Sequence, residues 1–410
     1  MISRADAAAL DAADPLAPFR DRFALPEGLV YLDGNSLGAL PKTAAGRLAE
    51  VVGREWGEGL IRSWNDAGWI DLPRRVGDKI ARLVGATPGE VVCADSTSVN
   101  LWKVLAAALS LRPERRTVLS EEGNFPADLY VAEGLARLLG KGHRVRLVPK
   151  RELVAALDDD VAALLLTHVD YRTGERHDME RLTGSAHAAG ALAIWDLAHS
   201  AGAMPLDLHG AGADLAVGCG YKYLCGGPGA PAFLWVPKRL QDAFVQPLSG
   251  WLGHAAPFAF ESAYRPAPGV ARFLCGTPPI LSMSSLDAAL DVILEADLAI
   301  VRAKSEALTS FFVEAVEQEC GEAVRLVSPR EAARRGSQVS FAHPDAYAVM
   351  CALIARGVVG DFRAPDVLRF GFAPLYVRFA DAWETARALA DVLSSHAHER
   401  PELRRRAAVT

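Results

Sequence analysis

The sequence predicts an α/β protein in which a large domain with a mainly parallel sheet is followed by a smaller α+β domain. Between about residues 90 and 240, six short β-prone segments alternate with helical patterns. Several of these segments are almost continuously apolar, which is typical of strands that are covered on both faces. After about residue 285, a long helical stretch precedes a short mixture of strand-like and helical patterns. These observations predict both the fold class and the order of the domains.

The predicted strands are apolar segments bounded by turn-forming or charged residues. In chain order, they cover residues 116–120, 144–149, 161–169, 192–197, 215–220 and 230–237. Helical patterns between them include ADLYVAEGLARLLG and MERLTGSAHAAG, which both end at glycine, as helices commonly do. Ligands of such folds bind at the carboxyl ends of the strands. Polar residues that follow these segments are therefore candidates for a functional site.

The composition is that of an ordinary globular protein with room for two domains. The 410 residues are 50% hydrophobic and 23% charged, and the net charge is −6. No long basic run provides an electrostatic reason to expect a nucleic-acid or membrane partner. The N-terminal segment carries charges throughout and lacks the apolar core of a signal peptide, and no apolar run approaches the roughly 18 residues of a membrane span. We therefore predict a cytoplasmic protein.

Metal-binding patterns are weak in this sequence. The six cysteines include no C-x-x-C pair, and the ten histidines are scattered along the chain. Buried free thiols are the expected interpretation of such cysteines. We predict no metal site.

Residues 34–38, GNSLG, match the G-x-S-x-G pattern of a hydrolase nucleophile elbow, with Ser36 in the nucleophile position. That elbow requires a strand to enter the turn and a helix to leave it at once. Here residues 39–41, ALP, separate the second glycine from the next helical pattern. A chance match is therefore favoured over a serine hydrolase.

Three polar features follow predicted strands. Residues 95–98, DSTS, precede a helix whose free N–H groups attract an anion, although an ordinary helix cap is the commoner explanation. Asp196 and His199 follow the apolar residues 192–194. Lys222 lies between two tyrosines, before a glycine-rich turn. The three features come from strands of one predicted sheet.

These residue types are those that pyridoxal phosphate requires. A desolvated lysine amine has a depressed pKa and can form a Schiff base with a carbonyl compound. The cofactor also needs a carboxylate that keeps its pyridinium nitrogen protonated and a helix start that binds its phosphate. Lys222, Asp196 and residues 95–98 supply these groups. The sequence therefore predicts a pyridoxal-phosphate site.

Several motifs together resemble the kynureninases, which are pyridoxal-phosphate enzymes of the aspartate aminotransferase fold (fold type I). The motifs are YLDGNSLGALPK, STSVNLWK, NFPADLY, WDLAHSAG, GCGYKYLCGGPG, SGWLGH and TPPI. The resemblance implies hydrolysis of L-kynurenine to anthranilate and L-alanine by a homodimer with shared active sites. It also implies an N-terminal segment, residues 1–50, that packs with the small domain and the active-site mouth. The large cofactor-binding domain would cover residues 51–290, and the small C-terminal α+β domain residues 291–410.

The resemblance assigns cofactor contacts by matching motif. Lys222 would bind the cofactor covalently and then move the proton at Cα, while Asp196 would pair with the pyridine nitrogen. Tyr221 is the candidate acid/base for later proton transfers. The other implied contacts are Thr97 and Ser98 at the phosphate together with Tyr221, Phe125 stacked on the ring, Asp128, Thr167 and His199 around the ring, and Trp251 and Thr277 from the second subunit of the dimer.

The same resemblance implies residues that bind the substrate. Arg369 would hold the α-carboxylate through its bidentate fork, and Ser36 would line the substrate pocket near its mouth. Trp64 and the pair Gly276-Thr277 stand where animal enzymes that favour the 3-hydroxylated substrate have histidine and Ser-Asn. This pattern resembles bacterial enzymes that act on L-kynurenine itself.

Two alternatives of the same cofactor class stay open. A cysteine desulfurase needs a cysteine on a mobile loop, whereas Cys320 and Cys351 both lie in helical patterns. A cofactor-binding homologue without turnover would keep Lys222 and Asp196 but could lose the substrate clamp. The presence of Arg369 argues against this second alternative.

Overall fold

The computed structural model describes residues 1–244 and 246–406. Its strands fall into three sheets. In chain order they are β1 Val30–Tyr31, β2 Val91–Cys93, β3 Thr117–Glu121, β4 Arg144–Val148, β5 Val161–Thr167, β6 Leu192–Asp196, β7 Leu215–Gly218, β8 Phe233–Trp235, β9 Arg325–Leu326, β10 Gln338–Ala342, β11 Val358–Val359, β12 Asp361–Arg363 and β13 Val367–Gly371.

The α-helices alternate with these strands in the first two thirds of the chain and cluster near its end. They are α1 Arg4–Ala12, α2 Lys42–Glu50, α3 Ser63–Asp66, α4 Leu72–Leu83, α5 Thr97–Leu111, α6 Pro126–Leu139, α7 Met179–Ala188, α8 Lys238–Gln241, α9 Ile280–Leu294, α10 Leu298–Cys320, α11 Ala346–Ile354 and α12 Phe379–Ser394. A π-helix, Val51–Gly59, follows α2. Within the described residues, no helix has both the length and the apolar content that a membrane span requires.

The largest sheet contains seven strands in the order β2-β8-β7-β6-β5-β3-β4. Strands β3 to β7 pair in parallel, and β8 is antiparallel to both of its neighbours. Every residue of β5 and β6 is buried. Neighbouring residues such as Ile194 and Trp195 belong to separate apolar clusters, because successive side chains point to opposite faces. This arrangement explains the continuous apolar segments, and it confirms the predicted α/β class.

A four-stranded antiparallel sheet, in the order β12-β13-β10-β9, lies in the C-terminal part of the chain with α10, α11 and α12. The sequence predicts one long helical stretch before it, but the structure has two helices, α9 and α10. Asp297 separates them, because its backbone is extended and its side chain accepts a hydrogen bond from the Ala299 N–H at 2.7 Å. An aspartate in this role starts a new helix.

The N-terminal segment contacts the C-terminal part of the chain. Strand β1 pairs in parallel with β11. Asp11 accepts hydrogen bonds from two backbone N–H groups at the start of α12, at 2.7 and 3.0 Å. Asp14 forms an ion pair with Lys304 of α10 at 2.6 Å. The predicted boundaries of the three segments stay a prediction.

The ion pair between Asp14 and Lys304 provides a stability prediction. Both side chains are buried, and the Lys304 ammonium also donates to the Pro374 carbonyl at 2.6 Å. Asp14→Asn would keep the shape but remove the charge that compensates a buried cation. We expect a loss of roughly 3 kcal/mol in the free energy of unfolding, measured by chemical denaturation.

The matched control is Glu384→Gln, which removes the exposed pair between Arg4 and Glu384. Such exposed pairs contribute about 0–1 kcal/mol. Equal unfolding free energies for the two variants would contradict the prediction.

Candidate active site

A cavity of about 430 Å³ lies at the carboxyl ends of β5 and β6 and at the start of α5. Its position follows from the parallel sheet, in which neighbouring strands end at one edge. All nine residues that were predicted as cofactor contacts within one chain line it: Thr97, Ser98, Phe125, Asp128, Thr167, Asp196, His199, Tyr221 and Lys222. The fold thus brings together residues that lie far apart in the sequence.

The start of α5 forms one wall of the cavity. Ser96 is the N-cap residue, and its hydroxyl accepts a hydrogen bond from the Val99 N–H at 3.4 Å. Thr97 and Ser98 lie in the first turn, where backbone N–H groups lack intrahelical partners. The helix dipole favours an anion at this end. This wall fits the phosphate group of the predicted cofactor.

Lys222 faces the cavity between two aromatic rings. Its Nζ lies 5.9 Å from the centre of the Phe125 ring and 5.8 Å from that of Tyr221. Desolvation lowers the pKa of Lys222, while Cys219 and Asp196 oppose this shift. A lowered pKa makes the amine easier to deprotonate, as a nucleophile or base requires.

The carboxyl groups of Asp196 and Asp128 lie next to each other and near Lys222. Asp196 accepts a hydrogen bond from the Ala198 N–H at 2.8 Å, and the Thr167 hydroxyl lies 3.4 Å from Asp128. Burial and the nearby Asp196 raise the pKa of Asp128 well above its ordinary value. Burial also raises the pKa of Asp196, while Lys222 opposes this shift. A carboxylate of this pair is the group that could face a cationic ring nitrogen.

The Thr167 side chain is positioned by Asn124, which the sequence analysis did not assign. The Thr167 hydroxyl donates to Asn124 Oδ1 at 2.6 Å, and the Thr167 N–H donates to the same oxygen at 2.9 Å. Asn124 precedes α6 within the NFPADLY motif. The sequence feature that could have identified Asn124 is its position in a strand-to-helix turn.

His199 links the cavity to the four-stranded sheet. Its Nδ1 lies 3.0 Å from Oε1 of Gln338 in β10. Desolvation lowers the pKa of His199, with a smaller contribution from Lys222, so the ring is neutral. Gln338 also donates to the carbonyl of Tyr171 at 3.1 Å. Sequence reasoning missed Gln338 because it lies in a different sheet.

Arg369 lies beyond the cavity wall and is buried. Its guanidinium binds both oxygens of Asp361, with Nε at 2.7 Å from Oδ1. Nη2 also donates to the Ser36 hydroxyl at 2.8 Å, and Nη1 donates to the Tyr171 carbonyl at 2.7 Å. Tyr171 itself lines the cavity. The bidentate fork of Arg369 is therefore engaged by Asp361.

Ser36 is held by charged groups on either side of it. Its hydroxyl donates to Asp361 at 2.7 Å and accepts from Arg369. No helix follows it until α2, which begins at Lys42. A nucleophile elbow requires that helix immediately, so the interpretation of GNSLG as a chance match agrees with this backbone.

Comparison with known proteins identifies the family. A family model described as "Kynureninase C-terminal domain" matches residues 301–389. The chain is 57% identical to a kynureninase of Burkholderia pseudomallei (strain 1106a), with complete coverage of both chains. It is 55% identical to a kynureninase of Pseudomonas fluorescens, again with complete coverage of both. The chain belongs to the kynureninase family. The predicted family is confirmed.

Solved structures with the same fold include more distant proteins. A cysteine desulfurase of Thermococcus onnurineus NA1 superposes with a TM-score of 0.77 at 19% identity and covers 92% of this chain and 98% of its own. A cystine C-S lyase gives a TM-score of 0.74 at 17% identity, with 89% and 98% coverage. At such identities the likeness shows the fold alone. It confirms the predicted fold type I.

Besides Ser36 and Arg369, four further residues that the kynureninase resemblance assigned to the site do not line the cavity of a single chain. Trp64 packs edge-on against Trp69 at a ring separation of 6.1 Å. Trp251 packs similarly against Phe258. Gly276 and Thr277 are exposed. Their assignments to cofactor and substrate stay predictions.

Proposed function

We propose that this chain is a pyridoxal-phosphate-dependent hydrolase that converts L-kynurenine and water to anthranilate and L-alanine. The observation that carries the proposal is the single cavity in which all nine predicted contacts of one chain meet, in a member of the kynureninase family. The family relation supports the activity. The cavity supports the cofactor.

The residues present fit pyridoxal phosphate. Thr97 and Ser98 at the start of α5 would hold its phosphate, Phe125 would stack on its ring, and Asp196 would accept a hydrogen bond from its ring nitrogen. Lys222, with a pKa that desolvation lowers, is the amine available for a covalent bond. When bound, the cofactor withdraws electrons from the substrate Cα, so that bonds near this atom can break.

The protein groups would move protons during the reaction. Lys222 would remove and return the proton at Cα, because its lowered pKa suits a base near neutral pH. Burial raises the pKa of the Tyr221 phenol, which stays protonated and can donate. Hydrolysis joins the water oxygen to Cγ, breaks the Cβ–Cγ bond, and leaves a proton on Cβ. Tyr221 is our candidate donor of that proton.

The test uses purified protein loaded with pyridoxal phosphate. Adding L-kynurenine should produce anthranilate, followed by its fluorescence, together with equimolar L-alanine. Absence of anthranilate combined with sulfide release from L-cysteine would instead support the desulfurase alternative. Cys320 and Cys351 argue against that outcome, because they lie in α10 and α11 and not on loops.

We also propose a homodimer with shared active sites. Trp251, Gly276 and Thr277 lie outside the cavity of their own chain, and the kynureninase resemblance assigns Trp251 and Thr277 to the phosphate of the second subunit. Two-fold symmetry would then give each site residues from both chains.

A complementation experiment tests the shared site. Lys222→Ala and Trp251→Ala homodimers should both lose activity, whereas refolded mixtures should regain it. In a mixed dimer, one site would contain Lys222 from one chain and Trp251 from the other. If mixtures stay inactive although mixed dimers form, both residues act within one chain. An active monomer in sedimentation would also contradict the proposal.

We expect L-kynurenine to be preferred over its 3-hydroxy form. A ring hydroxyl beside Trp64 and Thr277 gains at most one hydrogen bond, and an unpaired buried hydroxyl costs about 1–3 kcal/mol. The ratio of kcat/KM values should therefore favour L-kynurenine by roughly tenfold or more. Trp64→His combined with Thr277→Asn should bring the ratio of the two kcat/KM values closer to one. Equal values in the wild type would show that these positions do not determine the preference.

The cellular context follows from the activity and stays a proposal. Kynurenine hydrolysis would serve tryptophan catabolism or the supply of pyridine nucleotides. A cytoplasmic location is part of the same proposal.

A further inference from the structure

Gln338 of β10 donates to two backbone carbonyls of the segment that follows β5. Its amide nitrogen, Nε2, lies 3.3 Å from the carbonyl oxygen of Asp170 and 3.1 Å from that of Tyr171. A carbonyl oxygen can only accept a hydrogen bond, so the amide oxygen of Gln338 cannot take the place of the nitrogen. The orientation of the amide is therefore fixed, and its oxygen, Oε1, faces His199.

The two carbonyls are themselves held in place. The Asp170 carbonyl accepts from the Gly174 N–H at 2.9 Å, and the Tyr171 carbonyl accepts from Arg369 at 2.7 Å. Gly174 also lies against Gln338, since a Cβ at this position would come within 2.8 Å of Gln338 Cγ. These contacts keep both carbonyls directed at the Gln338 amide.

The amide orientation determines which nitrogen of His199 carries the hydrogen. Nδ1 of His199 lies 3.0 Å from Oε1 of Gln338. Because the amide oxygen can only accept, Nδ1 is the donor, and the hydrogen-bond network assigns the Nδ1–H tautomer. Desolvation lowers the pKa of His199, which favours the neutral ring. In that form the other nitrogen, Nε2, carries a lone pair.

Nε2 of His199 is available to a ligand in the active-site cavity. The two side chains are almost fully buried, with exposed fractions of 3% for His199 and 1% for Gln338. Among the described residues, Nε2 makes no hydrogen bond, yet protein atoms do not enclose it completely. His199 lines the cavity together with Lys222 and Asp196. A group bound in this cavity therefore meets a hydrogen-bond acceptor at the His199 ring.

We infer that Gln338 is a positioning residue of the cofactor site: by accepting from Nδ1–H, it makes His199 an acceptor at Nε2 for a hydroxyl or N–H group of the bound cofactor. The inference rests on the proposed function for the identity of that ligand. Without the amide, the imidazole could carry its hydrogen on either nitrogen, and Nε2–H would then present a donor to the same group. Gln338 acts through His199, since Gln338 does not itself line the cavity.

Nuclear magnetic resonance of the full chain with isotope-labelled histidines tests the tautomer. The His199 signals are identified by their loss in His199→Asn, and long-range proton–nitrogen correlations show which ring nitrogen bears hydrogen. The wild type should carry the hydrogen at Nδ1 and leave Nε2 unprotonated. Hydrogen at Nε2 alone, or at both nitrogens, near neutral pH would overturn the inference.

Gln338→Leu removes the acceptor but keeps a side chain of similar size. The ratio of Nδ1–H to Nε2–H should fall by about tenfold, the effect of one buried hydrogen bond. An unchanged ratio in the folded variant would overturn the inference. If Gln338→Leu does not fold, Gln338→Asn, whose amide is one methylene shorter, decides in the same way: a lowered ratio supports the inference, and an unchanged ratio overturns it.

The matched control is Gln241→Leu. Gln241 is also buried, and its Nε2 donates to the carbonyls of Gly89 and Val236, each at 2.9 Å. The control therefore loses two hydrogen bonds of the same kind at a place that does not contact His199. It should keep the wild-type His199 signals. A lowered ratio in the control as well would overturn the inference.

Pyridoxal phosphate added to the same samples tests the contact with the cofactor. Its binding should move the Nε2 resonance of the wild type in the direction of an accepted hydrogen bond, without adding a proton there. Protonation of Nε2, or an unchanged resonance, would overturn the inference. An analogue in which the ring hydroxyl is methylated distinguishes the two donor groups: loss of the change identifies the hydroxyl, and its persistence identifies an N–H group.

These measurements are independent of turnover. If the wild type makes no anthranilate, the proposed function fails, yet the tautomer of His199 still tests the role of Gln338.

Discussion

Replacing Lys222 by alanine should lower kcat for L-kynurenine by at least about a thousandfold, because it removes the base at Cα together with the covalent anchor. Lys222 faces the cavity and makes no ion pair among the described residues. Lys103, which is fully buried near the site, is already bound. Its Nζ lies 2.6 Å from Asp95 and 2.5 Å from the Phe273 carbonyl.

Mass spectrometry checks this assignment directly. After borohydride reduction and digestion, the wild type should carry a pyridoxyl group on the peptide containing Lys222, and Lys222→Ala should carry none. Lys150→Ala, in which a half-exposed lysine is removed from its pair with Glu175, serves as the control and should behave like the wild type. Modification of Lys103 in the wild type would refute the assignment.

Asp196→Asn should lower kcat by about two to four orders of magnitude, or roughly 3–5 kcal/mol in activation free energy. Asparagine preserves the shape of the side chain but cannot balance a positive charge on the ring nitrogen. The step in which Lys222 removes the Cα proton should slow most, which a primary isotope effect on deuterated substrate would report. The bound cofactor should stay in place, since the start of α5 and Phe125 are unchanged.

Asp128→Asn provides the comparison. Because burial and Asp196 raise the pKa of Asp128 well above its ordinary value, replacing Asp128 by a neutral amide should slow turnover less than Asp196→Asn. The reverse order would show that Asp128, and not Asp196, is the charged partner of the cofactor.

Much of the fold was predictable, because a continuously apolar segment indicates a strand that is buried on both faces. The segments around β5 and β6 are apolar at every position up to Thr167 and Asp196, and both residues end their strands at the cavity. The division between α9 and α10 was missed, since Asp297 also suits a helical pattern as an exposed residue. Its capping role depends on the extended backbone at that point.

The sequence by itself determined the chemical groups of this protein and the strand ends that carry them, because apolar periodicity and strand-to-helix turns are local properties. Only the tertiary structure decided which groups meet. Ser36 reaches Arg369 because β1 pairs with β11, which brings together segments more than 300 residues apart. Such a contact forms only when the N-terminal segment and the C-terminal part of the chain pack together in the folded protein. The engagement of Arg369 by Asp361 depends instead on the pairing of β12 with β13, which places the two residues directly opposite each other.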